Sequence, residues 1–125
     1  MEIREVVERV HDEAKYTMSN LQEHCAVFLD RFYLLANEED LSQEPVRYSD
    51  VPQWMYAYVA AVAELLARKF YFKSPLWTQD PFYFAPKPVF QFNAQDEYKL
   101  VLMMTAPQAF ISHNIFMEPN VLGRA

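Results

Sequence analysis

Apolar residues recur at three- and four-residue intervals through the first third of the chain and then crowd together, and that change sets the expected architecture. Ile3, Val6, Val7, Val10 and Ala14 share one side of a helix over residues 2–16, while Glu2, Arg4, Glu5, Glu8, Arg9, Asp12 and Glu13 take the other. Ser19 followed by Gln22 has the pattern of a capping box, and Leu21, Cys25, Phe28, Leu29 and Phe32 then form a second stripe reaching Ala36. The two helices are either separate or continuous. Residues 37–50 make an acidic loop containing Pro45, and Ser49 or Asp50 with Pro52 behind it starts a third helix over residues 51–69. Within it, Trp54 to Ala67 is an apolar run of 14 residues interrupted by Glu64. It falls short of the ~20 residues that cross a bilayer, so it reads as a buried helix.

From Phe70 to Phe92 the pattern has no helical period. FYFKSPLWTQDPFYFAPKPVFQF holds nine of the twenty aromatic residues and four of the eight prolines. Pro75, Pro81, Pro86 and Pro88 rule out one helix or a central strand, because each removes a backbone donor and fixes φ. The segment is also too apolar to stay solvated. It is expected to lie as an ordered, irregular strap on helix three, with Phe70, Phe72, Trp77, Phe82, Phe84 and Phe90 as candidates for burial. Beyond it, Asn93 can cap a short helix from Ala94 to Met104, the alternative being a strand over Tyr98 to Met104. Thr105 and Pro107 suggest another brief helix through Phe110, and Asn114 turns the chain into Ile115-Phe116-Met117. The predicted fold is mainly α: one domain over residues 1–125, with acidic helices over 1–48, then helix, strap and C-terminal motif over 49–125, and at most one short strand pair.

Charge and glycine narrow the function classes. Residues 1–50 carry five basic and twelve acidic side chains, a net −7, against +1 for the remainder. Nucleic-acid binding draws on Lys and Arg, so an acidic half disfavours it and suggests a basic partner. Gly123 is the single glycine, which removes every phosphate-cradling loop and the nucleophile elbow. With Cys25 alone there is no internal disulfide and no cysteine-built zinc site, consistent with a reducing, cytoplasmic setting; the acidic N-terminus does not resemble a signal peptide.

No cofactor or metal is implied. Glu8 and His11 make one Glu-x-x-His pair where a di-iron bundle needs two, and a solvated helix face is the better reading. His24 and Cys25 point about 100° apart on a helix and cannot pair, so Cys25 is read as inert core. Asp80 precedes Pro81 and is expected to cap its own turn. His113 is the one histidine in an expected loop, a plain turn residue unless a small hydrolase or transferase uses it with Asp80 or Glu118. The binding candidates are Trp77, Asp80, Phe82 and Tyr83 of the strap, with His113, Asn114, Phe116 and Arg124 of the C-terminal motif.

FLDRFY (Phe28 to Tyr33), LSQEP (Leu41 to Pro45), the alanine-rich helix at Tyr58-Val59-Ala60-Ala61, PLWTQDPFYF (Pro75 to Phe84) and APQAFISHNIFMEPNVLGRA (Ala106 to Ala125) resemble a family of uncharacterised bacterial proteins. Members often carry a helix-turn-helix and are encoded beside a predicted nucleotidyltransferase in toxin-antitoxin-like pairs. The resemblance implies a non-enzymatic, antitoxin-like partner of such a toxin, with a transcriptional regulator as a further reading. Residues 1–27 are short and acidic beside the usual DNA-binding unit, and His113 stands where members often carry arginine. The apolar stripe of helix one must itself be covered, either by helix two or by the same helix of a second subunit. The tight Tyr16-Thr17-Met18 link favours the homodimer.

Overall fold

The computed structural model describes residues 1–123, and Arg124 and Ala125 lie outside the described residues. The chain folds as a mainly α domain: α1 (Arg4–Glu13), α2 (Met18–Leu35), α3 (Gln53–Lys69), β1 (Val89–Phe90), α4 (Asp96–Thr105), α5 (Gln108–Ser112) and β2 (Ile115–Phe116), with short 3₁₀ turns between them. The two strands pair in parallel, Val89 opposite Ile115 and Phe90 opposite Phe116. No helix among the described residues is long and apolar enough to cross a membrane.

The centre is α3. Its residues from Met55 to Ala67 are buried except Leu65, so the helix is covered on nearly every side. Ala57, Ala60, Ala61, Ala63 and Ala67 supply the small side chains that let α1, α5 and the strap approach its backbone. It begins at Gln53, two residues later than the expected 51, with Pro52 at the N-cap position in place of Ser49 or Asp50.

Helix one folds back on α2, the first of the two ways in which its apolar stripe could be covered. Ile3, Val6, Val7 and Val10 are buried within one chain. Removing each such side chain from water contributes about 1.5–3 kcal/mol, which fixes a helix too short to be stable alone. The reversal needs no glycine. Ala14 takes the left-handed conformation at φ 51° and ends α1 before the expected residue 16. Asn20 Nδ2 then donates to the Lys15 carbonyl at 3.0 Å, and His24 reaches back to the Glu13 carboxylate. The helix start also differs from the capping-box reading. Thr17, extended at φ −110°, caps α2 by accepting the Asn20 N–H, and Ser19 lies within the first turn.

The strap is packed on α3 as expected, through turns at Leu76–Gln79 and Pro81–Tyr83. Gln53 Nε2 anchors it by donating to the Phe82 carbonyl at 3.0 Å. Its fully buried members are Thr78, Tyr83 and Ala85. The six expected aromatics are half-buried, lying on the core from outside. Prolines keep the backbone from the regular turns that would carry every ring inward. After the strap, Asn93 does not cap α4: it sits at φ 51°, and the helix starts at Asp96 behind an extended Gln95.

Candidate functional site

His113 is not a turn histidine on the surface. It is fully buried, and both ring nitrogens meet acceptors: Nδ1 lies 2.5 Å from the Tyr83 carbonyl and Nε2 lies 2.9 Å from Glu64 Oε1. A carbonyl only accepts, so Nδ1 donates to Tyr83 and Nε2 is left facing Glu64. Phe84 stacks on it at 4.5 Å between centroids. Glu64 Oε1 also accepts from Gln79 Nε2, and Oε2 faces Arg68 at 3.8 Å. Burial pushes the Glu64 carboxyl up, but the hydrogen bond and charge of His113, with Thr78 and Arg68, outweigh it and hold the group below the usual carboxylate range. The pair therefore joins α3, the strap and the C-terminal motif at one point. Both residues are buried, so neither is open to a substrate.

The carboxylates expected beside His113 are elsewhere. Asp80 accepts the Phe82 N–H at 2.9 Å, as its turn-capping reading required, and pairs with Arg47 at 3.2 Å. Glu118 accepts from the Tyr98 hydroxyl at 2.7 Å. Four strap candidates do come together. The Trp77 and Tyr83 rings meet at 5.0 Å, the Phe82 and Tyr83 rings at 5.2 Å, and the Arg47 guanidinium lies 4.2 Å above Phe82. Tyr83 donates to Glu44 at 2.8 Å and Trp77 to the Leu41 carbonyl at 3.1 Å, so these polar tips are spent within the fold. Burial and the neighbouring Glu44 push the Tyr83 phenol up.

The C-terminal candidates are likewise structural. Asn114, at φ 66°, donates through Nδ2 to the Ala85 carbonyl at 3.0 Å, and its own carbonyl accepts from Val89. Phe116 stacks on Phe90 across the strand pair at 4.8 Å. Arg124 lies outside the described residues.

Other polar pairs explain themselves. His11 stacks on Tyr48 at 3.7 Å, with Nδ1 3.2 Å from Asp50 but poorly aligned for a hydrogen bond. Cys25 is buried, and burial pushes its thiol up to about 12, away from thiolate chemistry. Among the described residues no three His, Cys, Asp or Glu side chains are grouped to hold a metal ion.

What remains open lies between residues 88 and 104. In α4 only Leu102 is buried, whereas Leu100, Val101, Met103 and Met104 are exposed, Met104 by 84%. Five consecutive apolar residues, Leu100 to Met104, cannot all face inward from one helix, and this was the sequence signal for the surface. Glu64 had a signal too: a lone acid in a buried run must find a partner. Arg47 and Glu44 had none. Beside α4, a cleft of about 700 Å³ is lined by Met18, Ser19, Trp54, Phe90 and Phe92 among others.

No family model matches the chain, and no significant match is found among curated proteins or among solved structures.

Proposed function

We propose that this chain is a non-enzymatic protein-binding module that docks its partner on the outward face of α4. One observation carries the reading: a ten-residue helix displays Leu100, Val101, Met103 and Met104 to solvent together, four apolar side chains on one short element. Methionine-rich faces adapt to a partner's shape, and apolar surface of this kind is characteristic of interaction sites. The closed environment of His113 supports the absence of turnover. The sequence resemblance supplies the partner class, a nucleotidyltransferase-type toxin, and the lone Cys25 with the acidic N-terminus fits a cytoplasmic complex.

The test is co-expression of the full chain with the nucleotidyltransferase-type product of the adjacent gene. The Leu100→Glu/Met104→Glu variant is expected to fold, since both side chains are exposed, and to weaken the complex by about tenfold or more, as removal of central apolar anchors does. Full-strength binding by this folded variant would overturn the reading.

A further inference from the structure

Phe92 incurs a conformational cost that brings little packing in return. Its backbone sits at φ 58° and ψ 23°, in the left-handed region that aromatic residues avoid, and its ring is 74% exposed. Ala14, Ala36 and Tyr71 share that region, but each ends an α-helix whose reversal demands it. Phe92 ends no α-helix. It lines the cleft described above, and strained backbone of this kind concentrates at binding sites.

The cleft's chemistry defines what it takes. Trp54, Phe90 and Phe92 present rings, Ser19, Gln22 and Asn93 bring a hydroxyl and amides, and no lining residue is charged. A carboxylate, phosphate or ammonium entering it would shed hydration without meeting a counter-charge. A neutral ring with one polar edge loses nothing comparable. The volume is within the range of sites that engulf such groups. Phe90 is also a shared wall: it lines the cleft, and Lys99 of α4 lies 4.7 Å from its ring centroid. The chain passes from Phe92 and Asn93 into α4 at Asp96, and Lys99 of α4 meets Phe90, so the cleft adjoins α4.

We infer that this cleft receives an aromatic side chain, tryptophan or tyrosine, from the partner polypeptide; the inference rests on the protein-binding reading above. Such a residue is the usual anchor of an interface, filling a pocket beside a flatter contact.

N-acetyltryptophanamide titrated into the isotope-labelled full chain tests it. The Trp54 indole N–H and the Phe92 and Asn93 amides are expected to shift saturably, with a dissociation constant on the order of a millimolar, as one isolated anchor gives. N-acetylleucinamide should bind about tenfold more weakly or worse. Phe92→Gly relaxes the backbone and removes the rim ring, so its Tm should hold or rise while the response is lost. No saturable shift, an equal response to the leucine compound, or an undiminished Phe92→Gly response would overturn the inference. Tighter binding of adenosine would also overturn it, by making the occupant a free heteroaromatic molecule. A silent cleft beside an α4 that still captures its partner overturns the anchor and leaves the docking reading standing. A responsive cleft with no partner captured overturns the docking reading instead.

Discussion

The junction at Glu64 and the helix α4 are both cut from apolar sequence, yet one is closed on every side and the other is held mainly by Leu102. At the junction a buried charge forces order, because the carboxylate must be met by His113 and Gln79 and each of these ties down a different segment. Along α4 no such demand exists. Beside buried Leu102, its side chains meet the rest of the fold at Tyr98 to Glu118 and Lys99 to Phe90. The lesson is that one buried polar pair can fix three segments at once, whereas an apolar helix without such a pair is left with most of its side chains outside.

Breaking the junction should have the largest effect. His113→Ala leaves Glu64 buried without its partner, and is expected to lower unfolding stability by about 3–5 kcal/mol in urea titrations. The double variant Glu64→Leu/His113→Leu should recover much of that loss, since no unpaired buried polar group of the pair then remains. A His113→Ala protein as stable as the parent would mean that the pair does not organise the core.

A cavity comparison comes next. Leu66→Ala in α3 should cost about 2–5 kcal/mol, whereas Leu100→Ala or Met103→Ala in α4 should stay within about 0.5 kcal/mol. Comparable losses at both sites would show α4 to be packed against something within the chain.

The contrast also has a pH signature. The folded Glu64 carboxyl is held below its unfolded value, so its stabilisation is complete above an unfolded value of about 4.3 and is lost as pH falls through the folded one. Glu64→Gln should flatten the acid limb of the stability curve. An unchanged slope would assign acid unfolding to other carboxylates.

The smallest expected effect lies at the helix ends. Ala14→Gly and Ala36→Gly place the residue best suited to φ 51° and φ 47°, and each should raise stability by about 0.5–1 kcal/mol in the same titrations. Destabilisation would show that chain entropy outweighs the relieved strain.

Much of the fold was legible because burial and helical period agree. The stripe of Ile3, Val6, Val7 and Val10 and the crowded apolar run of α3 gave their helices within a few residues, and the aromatic strap declared its packing by composition. The hairpin of α1 and α2 was not legible. Turn expectations look for glycine, and here Ala14 takes the left-handed turn while Asn20 closes it from six residues away. His113 was misplaced for a related reason. A histidine between serine and asparagine looks solvated until the acid that claims it, 49 positions earlier, is brought alongside by tertiary packing.

The two-residue parallel pairing of β1 with β2 has a consequence for how such a protein can diversify. Parallel neighbours require a crossover, and everything between Phe90 and Ile115, α4 included, is carried on that excursion with its base clamped by the ladder and the Asn114 bonds. Doubling a loop's length costs only about 0.6 kcal/mol in closure entropy. The outer part of the excursion is therefore an interchangeable cassette: α4 can be lengthened, shortened or rewritten while α5, the His113 junction, the clamp and the core beneath stay the same.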